Sequence, residues 1–324
     1  MIELPEPRGA VSELLLDALP RPVATVPACE PSSAEDLQLA LYLCYELHYR
    51  GVPGADDDWE WEPSLLAVRA HLEHRFERAL IDLVGHPPVG LAADDVVDEL
   101  RCLAEGGDDG PSLSAHLEAA GTLAQARELA VHRSAYQLKE ADPHTWGLPR
   151  LTGRAKAGML EIQRGEYGDG DPDEVHATLF ARTMRALGLD ARYGALLEEV
   201  PAVSLSTCNL ISLFGLHRRW RGALVGHLAL FEMCSVTPMG RYQRGLERLG
   251  LDEAATRFYA AHVVADEHHQ VVALRDMVRP LVEDEPFLSG EVVFGARALQ
   301  AVESLFAEHV LGAWERGETS LRSG

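Results

Sequence analysis

The chain lacks the features that mark several common protein classes. Its five cysteines, Cys29, Cys44, Cys102, Cys208 and Cys234, are scattered without a Cys-x-x-Cys pair, which argues against a zinc knuckle or a disulfide framework. Basic residues are few: 29 Lys and Arg against 51 Asp and Glu give a net charge of −22. So acidic a chain disfavours nucleic acid and an anionic membrane as main partners, because both select for positive surface. No apolar run reaches the roughly 18 residues of a membrane span. The opening MIELPEPRGA holds neither a basic stretch nor an apolar one, so no signal peptide is expected and a cytoplasmic protein is. Aromatic residues amount to only 6%, β-branched runs are scarce, and no Asn-Gly pair joins two alternating segments. These shortages disfavour a sheet.

What the chain does have is Ala, Leu, Glu and Arg, the residues that favour helix. A hydrophobic share of 47% in 324 residues supports a sizeable core. Pro5, Pro7, Pro20, Pro22, Pro27 and Pro31 mark residues 1–33 as an irregular N-terminal arm. Ser33 or Ser32 can cap a helix that runs to about Arg50 and stops at Gly51. Helical periodicity returns in WEPSLLAVRAHLEHRFERALIDLVG and ADDVVDELRCLAE, so residues 34–105 read as N-terminal helices packed on the main body. AEGGDDGPS, residues 104–112, is the clearest loop. Residues 112–324 form the core. Its helices are TLAQARELAVHRSAYQLKEAD ended by Pro143, then LPRLTGRAKAGMLEIQRGEYG and DPDEVHATLFARTMRALGLD. A long helix follows from about Val203 to Ser235, stopping before Pro238, then LDEAATRFYAAHVVADEHHQVVALRDMVRPL, and a last one over roughly 291–317. The fold class is all-α, a multi-helix bundle.

The densest concentration of chemistry is AAHVVADEHHQVV, residues 260–272. A helix turns about 100° per residue, so from His262 the side chains of Asp266 and His269 lie at about 40° and −20°, on one face. Glu267 and His268 fall at about 140° and 240°, on other faces. Ala255, Phe258, Ala265 and Ala273 lie near the first face, which therefore looks inward rather than forming a solvated stripe. Two imidazoles and a carboxylate facing a core need partners or a metal, and the set suits iron, manganese or zinc.

A bundle assembles a metal site from several helices, so acids in apolar company on other helices are candidates. Glu232 sits in ALVGHLALFEMC, a nearly uncharged segment. Glu140 ends AYQLKEAD, and Glu166 and His176 bracket EYGDGDPDEVH, a helix end, a Gly-Asp loop and a helix start. Taken singly, Glu140 reads as a helix-end acid, Glu166 as a solvated cap and His176 as a loop-end histidine, and only Glu232 stands out against its bland reading, half of a core ion pair.

Together, KEADPHTW, EIQRGEYG followed by His176, GLHRRWRGALVGHLALFEM and HVVADEHH resemble a family. In this order they look like the haem-oxygenase-like diiron oxidases, also called iron-containing redox enzymes. The resemblance covers about residues 130–280. It implies a seven-helix haem-oxygenase-like bundle, here with additional N-terminal helices. It implies an O2-dependent non-haem diiron oxidase or oxygenase with two Fe as cofactor and O2 as co-substrate. The substrate would be a small molecule, in specialised metabolism, with an external electron donor and a homodimer left open. The iron ligands it implies are Glu140, His176, Glu232, His262, Asp266 and His269. Members that oxygenate an amine nitrogen have a further carboxylate where Glu166 stands, which adds Glu166 to the set and N-oxygenation as a narrower reading. Two ferrous ions bring four positive charges and the four carboxylates four negative ones, so the cluster would be near neutral in a low-dielectric core.

Other residues are set aside. His144 follows Pro143 and reads as a turn residue, and Glu46 and His48 as structural. His227 is a candidate partner of a ligand rather than a ligand. HRRWRG, residues 217–222, is either an ion-paired patch or a recognition site for a substrate carboxylate. Cys208 and Cys234 have no base beside them in sequence to make a nucleophile. Two rival readings stand. One is a cofactor-free or haem-binding enzyme on the same fold. The other is a non-enzymatic protein that binds metal or a partner through an acidic helical surface.

Overall fold

A computed structural model describes residues 4–106 and 112–322. Among them there are helices and no strand, as the helix-forming composition requires. The order is α1 Ala10–Ala18, α2 Ala34–Glu46, α3 Pro63–Val84, α4 Ala93–Gly106, α5 Leu113–Ala119, α6 Leu123–Gln137 and α7 Asp142–Thr145. Then come α8 Gly153–Glu166, α9 His176–Ala186, α10 Ala202–Leu216, α11 Arg221–Arg248, α12 Glu253–Val272, α13 Arg279–Asp284 and α14 Ser289–Glu315. Helix α11 is the central column, packed against α12 and α14, with α9 against the far side of α12.

Local chemistry sets the boundaries. Ser33 caps α2 by accepting the Asp36 N–H, and Thr122 and Gln125 form a reciprocal capping box at the start of α6. Both satisfy backbone donors that have no partner inside the helix. One hydrophobic cluster runs from Val11 and Leu15 through α2, α3 and α4 to α10, α11 and α14, so the N-terminal helices share their core with the rest of the bundle.

Several elements differ from the sequence reading. The arm of residues 1–33 contains helix α1, whose Val11, Leu15 and Leu19 are buried. Prolines 7 and 20 bracket this helix instead of breaking it, and Asp36 accepts the N–H groups of Val11 and Ser12 at 3.2 and 2.8 Å to cap its start. Helix α2 closes at Glu46 rather than near Arg50. The loop at 104–112 begins only after Gly106, and residues 107–111 lie outside the described ones.

The long helix from Val203 to Ser235 is two helices, α10 and α11, joined by a 3-10 turn at Arg218–Trp220. The Arg150 guanidinium takes the carbonyls of Gly215 and Leu216, which ends α10 by occupying acceptors that a continuing helix would need. Helix α11 then runs through Pro238, because packing of its flanks on α12 and α14 outweighs one missing backbone bond. The stretch Arg218–Arg248 is also long and apolar enough for a membrane span, which the sequence reading did not find, but 67% of its apolar window is buried inside the bundle.

The helix expected over residues 251–281 changes character at Ala273. Residues Ala273–Val278 are π-helical, and α13 follows with Pro280 near its start. Pro280 has no N–H for the carbonyl four residues back, and a wider turn absorbs that defect.

Candidate metal centre

The seven residues singled out in the sequence come from five places in the bundle. Glu140 lies in the turn between α6 and α7, Glu166 is the last residue of α8 and His176 the first of α9. Glu232 is in mid-α11, and His262, Asp266 and His269 are on one face of α12. All seven are buried, none more than 6% exposed, whereas Glu267 and His268 on the other faces are exposed. The division of that helix by periodicity is the one observed.

Two backbone features set the positions. After Glu140 the chain turns at Ala141, whose φ of 74° lies in a region L-residues rarely adopt. Between Glu166 and His176 the loop doubles back at Gly168, with φ 68° and no room for a side chain: a Cβ there would stand 2.6 Å from the Glu174 backbone. Gly165 serves α8 in another way. A Cβ on it would stand 2.6 Å from His269 Nε2, so the missing side chain makes space for that imidazole.

The side chains converge in two sets of four. Glu140, Glu166, His176 and His262 each bring one ligand-type atom within 4.8 Å of all the others, and Glu166, Glu232, Asp266 and His269 do the same. Glu166 belongs to both sets. Its Oε2 is 2.6 Å from His176 Nδ1 and 4.0 Å from His262 Nε2, while its Oε1 is 3.5 Å from His269 Nδ1. His262 Nε2 lies 3.5 Å from Glu140 Oε1. His269 Nδ1 lies 3.4 Å from both Glu232 Oε2 and Asp266 Oδ1.

These contacts do not satisfy the atoms that make them. Both Glu140 oxygens, Glu166 Oε1, His176 Nδ1, His262 Nε2, Asp266 Oδ1 and His269 Nδ1 are buried without a hydrogen-bond partner. Leaving so many polar atoms unmatched in a core is costly. The remaining atoms are tied down. His262 Nδ1 is 2.9 Å from the Phe258 carbonyl and donates to it, which turns Nε2 inward. Ser235 donates to Asp266 Oδ2 at 2.5 Å and leaves Oδ1 free. Neighbours of this kind orient metal ligands.

Electrostatics give the same picture. Burial works against a charge on His262, but the Glu140 carboxylate beside it prevails and holds its pKa well above the usual imidazole range. His269 is pushed up to about 10 against the effect of burial, by the Asp266 and Glu232 carboxylates beside it. Burial alone would raise Glu166, yet His176 and the other imidazoles pull it down to about 2. Glu232 is raised well above the usual range by burial and by the nearby Asp266 charge. Carboxylates this close require compensating positive charge, and divalent ions meet that need with the donor set present here: oxygen-rich, with three imidazoles.

A cavity of about 10 Å3 adjoins both sets. Besides ligand-type residues it is lined by Tyr136, Ala141, His144, Gln163, Leu228 and Phe231. Burial, then Glu140 and the other carboxylates, raises the Tyr136 phenol far above its usual range, so it keeps its proton. His144 is not the turn residue expected. It lies in α7, buried, with Nε2 3.1 Å from His227 Nδ1. Pro143 starts that helix, where a missing N–H costs nothing, instead of preventing one. Burial depresses the pKa of both rings, that of His144 to about 4, so the pair is neutral.

The Arg cluster does not reach the cavity. His217 pairs with Glu73 at 2.9 Å, Arg219 with Glu77 and Arg221 with Glu285, which is the ion-paired reading. Glu46 binds Lys139 and accepts from Tyr193, and His48 contacts Glu60 and Arg69. Burial pushes the Cys208 thiol up to about 11, which makes it inert. Ser235, Tyr136 and Gln163 escaped the sequence reading. They stand three or four residues from Glu232, Glu140 and Glu166 on the same helical stretches, so a search at helical spacing from each ligand would have found them.

The model of one protein family, described as iron-containing redox enzyme, matches residues 127–304, more than half the chain. Among curated proteins, a nitrosourea synthase from Streptomyces achromogenes subsp. streptozoticus is 28% identical over 241 residues. That match covers 72% of this chain and 51% of the relative, so the chain spans about half the length of that protein.

Proposed function

The chain belongs to the iron-containing redox enzymes, with the haem-oxygenase-like all-α fold, and from that footing we propose that it is a non-haem diiron oxidase or oxygenase. It would use O2 to oxidise a small molecule in specialised metabolism. The observation that carries this is Glu166, one buried carboxylate shared between two four-residue sets whose unpartnered atoms face each other. Shared carboxylates hold pairs of metal ions, and a two-ion site suits reactions in which charge develops on both sides of a small molecule.

Glu140, His176 and His262 would hold one ion, and Glu232, Asp266 and His269 the other, with Glu166 common to both. Ferrous iron in such a site supplies the electrons that dioxygen requires. The rest falls to the chain. Phe258 and Ser235 fix the rotation of His262 and the aim of Asp266. Leu228 and Phe231 keep the cavity wall apolar, which limits water at the site. Tyr136 holds its proton beside Glu140. Four carboxylates against two divalent ions leave the loaded site near neutral, as burial demands.

For the substrate, the relative's name supports a nitrogen compound, because a nitrosourea carries oxygen on nitrogen. N-oxygenation of an amine or amino-acid derivative is therefore the narrower form of the proposal. The experiment is anaerobic loading with Fe(II) followed by mixing with O2, read as O2 consumed and as a transient visible band. Uptake of O2 in proportion to iron supports the oxidase. Iron-loaded protein that consumes no O2 would leave only metal binding, and Asp266→Ala consuming O2 like wild type would remove the assignment of the site.

A further inference from the structure

Gln163 is 1% exposed and lines the metal cavity, and one end of its amide has no hydrogen-bond partner. The other end lies 3.1 Å from the Thr145 hydroxyl. The two ends of a primary amide have the same shape, so the protons of the neighbours decide which is oxygen and which nitrogen. Tyr167 has one hydroxyl proton and gives it to Asp142 Oδ1 at 2.9 Å. Thr145 has one as well, and Tyr167 Oη at 2.9 Å is its nearest acceptor. The Ala141 carbonyl, 3.1 Å from the Thr145 hydroxyl, already takes the Thr145 backbone N–H at 3.0 Å.

With amide oxygen facing Thr145, the Thr145–Tyr167 contact would have no proton in it. Turning the amide over puts a proton in each contact from Gln163 to Asp142: Gln163 N–H to Thr145, Thr145 to Tyr167, Tyr167 to Asp142. Asp142 faces the Arg50 guanidinium at 3.9 Å, a fitting end for a head-to-tail chain that strengthens toward a carboxylate. The free end of Gln163 is then a carbonyl oxygen, a buried acceptor at the cavity.

Among the described residues no Arg or Lys lines that cavity. A carboxylate or carbonyl brought against the free end of Gln163 would meet an acceptor, whereas an N–H would fill the vacant bond. We propose that Gln163 is a specificity-determining residue. Its amide oxygen accepts an N–H from the reacting end of an amine substrate, and Thr145 locks the amide in that sense. The inference rests on the diiron reading of the site and adds to it the residue that selects a nitrogen donor.

The test uses the Fe(II)-loaded protein without oxygen, with butylamine and butyrate as probes. Binding is followed by the magnetic circular dichroism of the ferrous centre and by melting temperature. Wild type is expected to show a higher ratio of butylamine to butyrate affinity than Gln163→Leu, because the ferrous ions attract butyrate alike in both. Gln163→Leu should lose about tenfold in amine affinity, one hydrogen bond's worth, with iron content unchanged. Gln163→Glu keeps an acceptor and should keep the ratio. Thr145→Val frees the amide to turn and should lower it, which gives a second reading if the Leu variant folds poorly. Butylamine bound equally by wild type and Gln163→Leu, or the same ratio of butylamine to butyrate affinity in both, overturns the role of Gln163 while the diiron reading stands. Wild-type protein that takes up no iron overturns the reading of the centre, and the role of Gln163 falls with it.

Discussion

Glu166 Oε2 lies 2.6 Å from His176 Nδ1, and the nine residues between them form a tight loop that brings the end of one helix to the start of the next. The same carboxylate reaches His269 on a third helix with its other oxygen, 3.5 Å away. One residue thus joins both halves of the candidate centre, and the consequences of removing it are distinctive.

Glu166→Ala should disturb both sets at once, whereas removal of a ligand from one set should disturb that set first. The expected result is iron content falling from about two per chain to below about one, with the helical circular dichroism spectrum retained. Metal analysis after anaerobic loading and desalting checks it. Retention of both ions would show that Glu166 is not shared between them.

Gly165→Ala places a methyl group 2.6 Å from His269 Nε2, closer than the two can stand. The imidazole must move, and a ligand displaced by a fraction of an ångström costs affinity on the order of the 10–100-fold seen when orienting groups are removed. Competition with a chelator should show one weakened ion and one unaffected.

Lys139 is 1% exposed, paired with Glu46, and stacked on the rings of Tyr42 and Tyr49 at 4.6 and 4.5 Å. It adjoins Glu140, so this pair braces the turn that carries a candidate ligand. Glu46→Ala strands a buried ammonium and should cost about 3–5 kcal/mol of stability in chemical denaturation. Glu46→Leu combined with Lys139→Met should recover much of the loss, because no charge is then left buried.

His132 is buried between Ser204 and Ser320, each 2.8 Å from a ring nitrogen. Burial, then His309 and Arg133, depresses its pKa to about 3. The folded ring stays neutral where the unfolded ring, at about 6.5, takes up a proton. The unfolded state therefore binds more protons between these values, and stability contributed here is full above about 6.5 and lost as pH falls toward 3. Denaturation midpoints measured over that window should decline with acid in wild type and decline less in His132→Gln.

Much of this was legible in the sequence, for a physical reason. Helical periodicity is local, so the face of His262, Asp266 and His269 and its separation from Glu267 and His268 follow from spacing alone. Glu232 was visible because a charge in an apolar run needs an explanation. The residues left open, Glu140, Glu166 and His176, lie at helix ends where no periodicity applies, and only the resemblance tied them to the centre. The breaks were less legible. Arg150 ends α10 from a distant position, Pro238 is overridden by packing, and Pro280 widens a helix rather than stopping it. Gln163 and Ser235 were invisible because their significance lies in what their partners leave unmatched.

The central claim is a two-ion iron centre built around a shared Glu166, and iron stoichiometry combined with Mössbauer spectroscopy of anaerobically loaded protein tests it most directly. The account predicts about two ferrous ions per chain in two inequivalent environments, one with two imidazoles and one with one. A single iron per chain at saturation, or iron bound as firmly after Glu166→Ala as before, would contradict it.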